Sequence, residues 1–441
     1  MNSQSLDSRH PVPGLARAFL RTVAVFAGLG LSLPGQTMSG LDTTTFVVMG
    51  EGLAAGMGNF GLSSEGQKYS FPAQVAAQMN TAFAQPLIQP PGIGDIVGYP
   101  GQEVRLQTYP QGSVRQMYQT DPKTAAAPPL FVMNTSIPGL TLSDSLALRP
   151  VSPIAQKNMK QTVINLILGF PQLFLDNVPL WSQFEYAKAL FPSVALIELG
   201  YYEVLDAAAT GDLSRLPDPA TFASRYGTIV DGLRGLQAQV IVTTIPNPLD
   251  TAYFSTPATA AAINATVPSA IIGVYNVSPQ DYVTRPGLTN IASQIANFAI
   301  APLPEGSILS AAKAAAITAA VNDLNTRITA AAQKSGAVVY DLNGFLHSVR
   351  LAGASTGSAT ITADYLGGFY SYDGAYPSPT GNALIANDVL RFLNTTYKKS
   401  FSPVNVAAVA ATDMTVQAKR AGAVLRSADS SGVNASGESA Q

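Results

Sequence analysis

The sequence contains no cysteine, and this absence removes disulfide bonds, thiolate nucleophiles and cysteine metal ligands together. Histidine is scarce as well, because His10 and His347 are the only two among 441 residues. Zinc is held by imidazole, thiolate and carboxylate ligands. We therefore expect no zinc site and no cofactor.

Charge is also low, since 12% of the residues are Asp, Glu, Lys or Arg and the formal net charge is −2. No long basic run occurs, so the electrostatic footprint of a nucleic-acid-binding protein is missing. Hydrophobic residues make up 47% of the chain, which is enough for a large buried core. The chain is expected to be globular, and its length alone allows two or three domains or one large α/β domain.

The N-terminus has the order of a secretory signal. Arg9, Arg17 and Arg21 precede the apolar run 23–33, and small and polar residues follow it. The run is shorter than the ~20 residues of a membrane-spanning helix, and glycines interrupt it. We predict that residues 1–40 are a signal peptide or export segment. The mature protein would then be secreted or extracytoplasmic without a transmembrane span; an N-terminal anchor is the alternative.

Short β-branched runs alternate with helical patterns along the chain. The runs are typical of buried parallel strands and lie at 44–49, 130–133, 194–199, 240–245 and 337–342. Apolar residues at steps of three and four predict helices at Phe222, Tyr226, Ile229, Leu233 and Leu236, and at Ile317, Val321, Leu324 and Ile328, with Gly336 as a C-terminal cap. This alternation predicts an α/β fold: a doubly wound parallel sheet of about five strands with helices on both faces. Its ligand crevice would lie at the carboxyl ends of the strands.

Three long segments interrupt this alternation, at 85–128, 140–190 and 249–305. Segments of this length are usually lids or binding loops. We interpret them as insertions over one crevice in a single domain, 41–400. The segment 401–441 is rich in small residues with scattered charges, which predicts a disordered C-terminal tail.

Four motifs follow the predicted strands or precede the last helix. They are Gly50-Glu51-Gly52-Leu53, Asn134-Thr135-Ser136-Ile137-Pro138-Gly139, Gly200-Tyr201-Tyr202-Glu203 and the segment from Asp373 through Tyr376 to Gly381. In this order, over roughly residues 43–397, they resemble the conserved blocks of the SGNH/GDSL hydrolase superfamily of lipases and esterases. The resemblance implies a three-layer, flavodoxin-like α/β fold and hydrolysis of ester bonds.

The resemblance also shows which catalytic groups are replaced. Gly52 stands at the position of the serine nucleophile, Tyr202 at that of the oxyanion-hole asparagine, and Tyr376 at that of the histidine base; Gly139, whose N–H donates to the oxyanion, is retained. Acyl transfer needs a nucleophilic oxygen, a base and oxyanion donors. We therefore expect a protein that has lost ester hydrolysis and binds an ester, lipid or carbohydrate-like ligand in the residual crevice.

Two alternatives remain open at this point. The first is an active GDSL-type esterase with a displaced nucleophile, for which Ser63 and Ser64 are the nearby hydroxyls and His347 is the available base. Serine residues in the loop expected after the first motif more often stabilise a turn, and a lone histidine is more often a packed or surface residue. The second is a structural or interaction protein with a vestigial crevice.

Acids and tyrosines are concentrated in the same motifs. If the motifs meet, Glu51, Glu203 and Asp373 lie near Tyr201, Tyr202 and Tyr376, and these six residues are the candidates for ligand binding. Such carboxylates could bind a hard cation, act as an acid–base pair as in glycoside hydrolysis, or hydrogen-bond a sugar stacked on tyrosine. Alternatively, each carboxylate caps a turn or a helix N-terminus.

Overall fold

The computed structural model describes residues 40–94, 118, 131–152, 154–173, 177–260 and 273–419. Within these residues the strands are β1 (Phe46–Gly50), β2 (Val194–Glu198), β3 (Gln239–Thr243), β4 (Phe254–Ser255), β5 (Tyr282–Thr284), β6 (Ile308–Leu309), β7 (Val338–Tyr340), β8 (Ala354–Ser355) and β9 (Thr360–Ile361). The helices are α1 (Gly52–Ala55), α2 (Ser64–Tyr69), α3 (Phe71–Gln78), α4 (Leu142–Ala147), α5 (Met159–Ile167), α6 (Gln183–Ala189), α7 (Tyr201–Thr210), α8 (Pro219–Arg234), α9 (Pro257–Ala260), α10 (Arg285–Ala296), α11 (Ala311–Ser335), α12 (Leu342–Ala352), α13 (Pro379–Tyr397) and α14 (Val406–Thr412). The predicted export segment lies outside the described residues, except for Gly40.

A parallel four-stranded sheet, in the order β1-β2-β3-β7, forms the centre of the fold. Strands β1 and β2 are buried along their whole length, as expected for continuous apolar runs in a parallel sheet. Helices α1 and α6 contact β1, α8 contacts β3, and α11 contacts β7. The predicted α/β class with a parallel sheet is confirmed.

The predicted strand at 130–133 is not a strand of this sheet. Residue 130 lies outside the described residues, and the following chain runs beside the free edge of β1 with one parallel bridge between Val48 and Asn134. Three backbone hydrogen bonds join 133–137 to β1, at 2.9, 2.9 and 3.1 Å. The Asn134 side chain holds this edge segment locally, because it accepts from the N–H of Ser136 and donates to the carbonyl of Ala54.

The edge segment 133–137 decides where a crevice can form. The chain passes from β1 to this segment on one side and then to β2 on the other side. Such a reversal is a topological switch point, and ligand crevices of open α/β sheets lie outside the carboxyl ends of the strands there. Glu51 directly follows β1, and Glu198 is the last residue of β2.

Both predicted amphipathic helices are present. In α8 the residues Phe222, Tyr226, Ile229 and Leu233 are buried, whereas Leu236 lies beyond the end of the helix. In α11 the predicted apolar residues are all buried, and the helix ends at Gly336, whose φ of 69° is the left-handed conformation that glycine adopts readily.

The insertions differ in structure. Segment 85–128 lies mostly outside the described residues. Segment 140–190 contains α4, α5 and α6, and capping boxes begin α4 at Thr141 and α6 at Ser182. Segment 249–305 contains β4, β5, α9 and α10; β6 lies just beyond it and pairs with β5, giving an antiparallel sheet β4-β5-β6. This sheet has a small core of its own, made of Ala260, Val277, Val283, Leu288 and Ile291.

Residues 401–419 belong to the predicted disordered tail, and in the structure they pack against the body of the protein. Ala410 of α14 and Val416 are buried in the main core. The Asp413 carboxylate accepts a hydrogen bond from the N–H of Thr380 at 2.9 Å, which caps the first turn of α13. Small residues dominate the composition of this segment, so the composition gave no sign that Ala410 and Val416 would be buried. Residues 420–441 lie outside the described residues.

Candidate functional site

The structure brings Gly52 and Tyr376 into direct contact. A Cβ atom added to Gly52 would lie 2.5 Å from Cε1, 2.6 Å from Cζ and 2.8 Å from Oη of Tyr376. These distances are far below ordinary contact. The phenol ring of Tyr376 therefore occupies the space into which any side chain at position 52 would project.

The Glu51 carboxyl group is buried in the same place. It accepts hydrogen bonds from the N–H of Leu53 at 2.9 Å and from the hydroxyl of Tyr376 at 3.2 Å. Burial raises the pKa of Glu51 to about 7, against hydrogen bonds from Tyr376 and from the backbone N–H groups of Gly52, Leu53 and Gly139, which favour the ionised form. Gly139, whose N–H the resemblance assigns to an oxyanion, therefore lies close enough to act on the Glu51 carboxyl group.

Glu198 is a buried acid that the sequence reasoning did not select. Its Oε2 accepts hydrogen bonds from the N–H of Glu51 at 3.1 Å and from that of Ala54 at 3.2 Å. Burial and the nearby Glu51 carboxylate raise the pKa of Glu198 well above its ordinary value. The available signal was its position, because Glu198 is the only charged residue in the apolar run 194–199.

Glu203 caps a helix from a buried position. Its Oε1 accepts a hydrogen bond from the N–H of Leu142, at the start of α4, at 2.7 Å. Its Oε2 is buried without a hydrogen-bond partner among the described residues. Burial raises the pKa of Glu203 to about 7, and the nearby Glu51 and Asp144 carboxylates act in the same direction.

Asp373 holds the loop that carries Tyr376. Its Oδ1 accepts hydrogen bonds from the N–H groups of Ala375 and Tyr376 at 2.8 and 3.0 Å, and its Oδ2 accepts one from the Ser371 hydroxyl at 2.6 Å. Burial raises the pKa of Asp373 in spite of these bonds. Tyr201 supports the same loop, because its hydroxyl donates to the carbonyl of Ala375 at 3.1 Å and its ring meets that of Tyr376 edge to face.

Two of the predicted site residues, Gly139 and Tyr202, line the same cavity. A Cβ on Gly139 would lie 3.7 Å from the ring of Tyr202. The cavity has a volume of about 240 Å³, and its other lining residues include Pro138, Met159, Lys160 and Val163. Tyr202 is half-buried, whereas Glu51, Tyr201, Asp373 and Tyr376 are fully buried. Glu203 lines a separate cavity of about 300 Å³ beside Thr141 and Arg225.

The residues considered as substitutes for the triad lie apart from one another in the fold. His347 is on α12 with its Nδ1 2.9 Å from the Oδ2 of Asp250, and its side chain is 55% exposed. Ser64 begins α2 and is buried, and Ser63 precedes it, so these serines start a helix rather than lie in a loop. No recorded hydrogen bond links His347 to either serine.

Each predicted acid therefore stabilises a turn or a helix end. Glu51 caps α1, Glu203 caps α4, and Asp373 closes the turn before Tyr376. Within the described part of the chain, no group of three or more His, Asp or Glu side chains is arranged to hold a metal ion.

Comparison with known proteins gives no assignment. No protein-family model matches the sequence, and no curated protein matches it. Among the described residues, no helix has both the length and the apolar character needed to cross a membrane.

Proposed function

We propose that this protein is a divergent, secreted relative of the SGNH/GDSL hydrolases that has lost ester hydrolysis and keeps a small ligand-binding cavity. The sheet order supports the doubly wound, three-layer fold of this proposal. With segment 133–137 counted as the second element, the order is 2-1-3-4-5, which is one of the two common doubly wound orders.

One observation carries the loss of hydrolysis: the ring of Tyr376 takes the space of a side chain at Gly52, and the Glu51 carboxyl group is buried in the same place. An oxyanion hole and substrate binding alone can leave about 10³–10⁴-fold acceleration over water when a triad is removed. Because a carboxyl group of the protein lies close to Gly139, we expect less than that.

The cavity beside Tyr202 sets the size of the ligand. Ligand pockets usually measure about 300–1,000 Å³, and this cavity of about 240 Å³ is smaller. Pro138, Met159 and Val163 supply an apolar wall, while Lys160 and Tyr202 supply polar groups. Lys160 is already paired with Asp144 at 2.6 Å, so its charge does not select an anion. A short acyl chain or a single sugar ring fits this description.

The first test is hydrolysis of short-chain and medium-chain p-nitrophenyl esters by the purified chain, with labelling by a serine-directed fluorophosphonate. We expect turnover at the level of buffer and no labelling. Turnover above buffer that falls in the Gly139→Ala variant, together with labelling of a serine, would show that a displaced nucleophile is active and would refute the loss of hydrolysis.

The second test restores the missing groups. Gly52→Ser, Tyr376→His and Tyr202→Asn together should give little turnover, because the Glu51 carboxyl group still lies close to Gly139. Adding Glu51→Asp shortens that side chain by one methylene group and should raise turnover further. Equal activity of the triple and quadruple variants, both folded, would contradict the role given to Glu51.

The third test concerns binding. We expect methyl butyrate, butyrate or N-acetylglucosamine to raise the denaturation midpoint, since a ligand at 100 times its Kd stabilises by about 2.7 kcal/mol. The Tyr202→Ala variant should lose this shift. Tyr275→Ala is the control, because Tyr275 is also half-buried but packs against the small core of segment 249–305. The absence of any shift in the wild type would refute binding of these ligand classes.

A further inference from the structure

Three glutamates from three different elements lie together in the interior. Glu51 follows β1, Glu198 ends β2 and Glu203 is in the first turn of α7, and all three are buried. Oε2 of Glu198 is bonded to the N–H of Glu51. The charge of Glu51 acts on both other carboxyl groups, and that of Glu203 acts on Glu198. We call these three residues the carboxyl cluster.

None of the ion pairs among the described residues includes a member of the carboxyl cluster. The titratable groups that act on its members or on the phenols beside them are tyrosines and acids, namely Tyr201, Tyr202, Tyr226, Tyr370, Tyr376, Asp144 and Asp373. Three cations lie around the cluster without an ion pair to a member: Arg215 and Arg225 line the cavity of Glu203, and Lys160, which pairs with Asp144, lines the cavity of Gly139. Buried like charges cannot all be ionised at a small cost, so this arrangement is compatible with burial only when protons are bound.

One polar atom of the cluster and one beside it are buried without a partner among the described residues. Among the described residues, Glu203 Oε2 and Ser136 Oγ are buried and have no hydrogen-bond partner. Ser136 Oγ and Glu198 Oε2 approach the same point, because a Cβ on Gly50 would lie 2.8 Å from the first and 3.0 Å from the second. The Ser136 hydroxyl is therefore placed near Glu198, where it can respond to a change in the protonation of that carboxyl group.

We infer that the carboxyl cluster is a proton-dependent closure of the site, in which bound protons keep Glu51 buried beside Gly139 and hydrogen-bonded to Tyr376. Loss of these protons expels Glu51 and opens the space between Gly139 and Tyr376. This inference deepens the proposed function, because it assigns a regulation to the same crevice. The site is closed in acid and opens as the pH rises.

The direction of the pH dependence and its pH range follow from the difference in bound protons between the closed and the open form. In the closed form burial raises the pKa of Glu51 and Glu203 to about 7, whereas an exposed glutamate has a pKa of about 4.3. The closed form therefore holds more protons between these two values, and the opening equilibrium constant rises about tenfold per pH unit for each proton released. Burial and the Glu51 carboxylate also raise the pKa of Glu198, so this residue contributes to the pH dependence in the same direction.

The experiment is residue-resolved hydrogen exchange at pH 5 and pH 8, with protection factors corrected for the intrinsic exchange rate at each pH. We expect the protection of the amides at 53–55 and 139–140 to fall at least 10-fold, while that of the amides in β3 stays constant within a factor of three. In the Glu51→Gln variant, which keeps the shape and cannot ionise, the local fall should disappear. Glu198→Gln serves as the second variant in case the first does not fold, and it should reduce the fall.

Three results would overturn the inference: no local fall, a fall that is equal in β3, or a fall that persists in both glutamine variants. The measurement uses neither esters nor ligands. Its failure therefore leaves the proposed loss of hydrolysis untouched, and ester turnover in the tests above would leave the exchange result untouched.

Discussion

The contact between Gly52 and Tyr376 predicts a strong energetic coupling between these positions. In the variant Gly52→Ala the new Cβ would lie 2.5 Å from the ring of Tyr376, so the ring must retreat by about 1 Å to reach ordinary contact. The ring is buried, and its hydroxyl is bonded to Glu51. Overpacking of this kind costs about 1–3 kcal/mol, and the lost hydrogen bond about 0.5–1.5 kcal/mol. We expect a loss of about 2–4 kcal/mol in the free energy of unfolding.

A double-mutant cycle with Tyr376→Val isolates this contact. Valine lacks the two ring carbons and the hydroxyl oxygen that oppose the new Cβ. Gly52→Ala in that background should therefore cost less than about 1 kcal/mol or even stabilise by filling part of the cavity. Urea unfolding of the four proteins at one pH gives the coupling energy, with a constant m value as the check on two-state behaviour. The control is Gly227→Ala in α8, where nothing lies within 4 Å of the added Cβ; it should stabilise by about 0.5–1 kcal/mol. Equal costs of Gly52→Ala in both backgrounds would refute the placement of the Tyr376 ring.

Three further predictions concern stability. The free energy of unfolding should fall as the pH rises from about 4.5 to 7, by about 1.4 kcal/mol per pH unit for each carboxyl group whose pKa is raised. Glu51→Gln should flatten this profile. Urea titrations across the range measure the profile, and a stability that rises with pH would contradict the prediction. Asp413→Ala should cost about 1 kcal/mol by removing the cap on Thr380, whereas a neutral result in thermal unfolding would show that the cap contributes nothing. Gln183→Leu should cost about 2–4 kcal/mol because the side-chain amide donates to the carbonyls of Gly50 and Thr135, and an unchanged midpoint would show that those carbonyls find other donors.

Much of the sheet could be predicted because its strands are continuous apolar runs in a chain with few charges. The runs at 44–49, 194–199, 240–245 and 337–342 correspond to β1, β2, β3 and β7. The run at 130–133 has a similar composition but leads into an edge segment that makes one bridge to β1. Composition does not distinguish such an edge segment from a central strand, because β-propensity depends on the neighbours of each strand.

The sequence predicted most residues of the candidate site but not how they are arranged. Proximity of Glu51, Tyr201 and Tyr376 followed from the motif order, but their burial and mutual hydrogen bonding depend on how the loop from Asp373 folds over β1. Glu198 was overlooked because a single acid inside an apolar run resembles an ordinary strand residue. Glu198 matters because its side chain is bonded to the N–H of Glu51, which is distant in the sequence and directly follows the neighbouring strand β1.

The packing of residues 401–419 has a consequence for the order in which parts of the protein fold during synthesis. Asn59 and Phe60 bond to the loop that carries Tyr376, through Ser371 and Asp373, and that loop is held in turn by Asp413 at the start of α13 and by Met414 at Tyr372. A nascent chain folds from its N-terminus as it is synthesised. Strands β1, β2 and β3 are therefore synthesised well before Tyr376, and Gly52 stays uncovered until that tyrosine has been translated and its loop has folded.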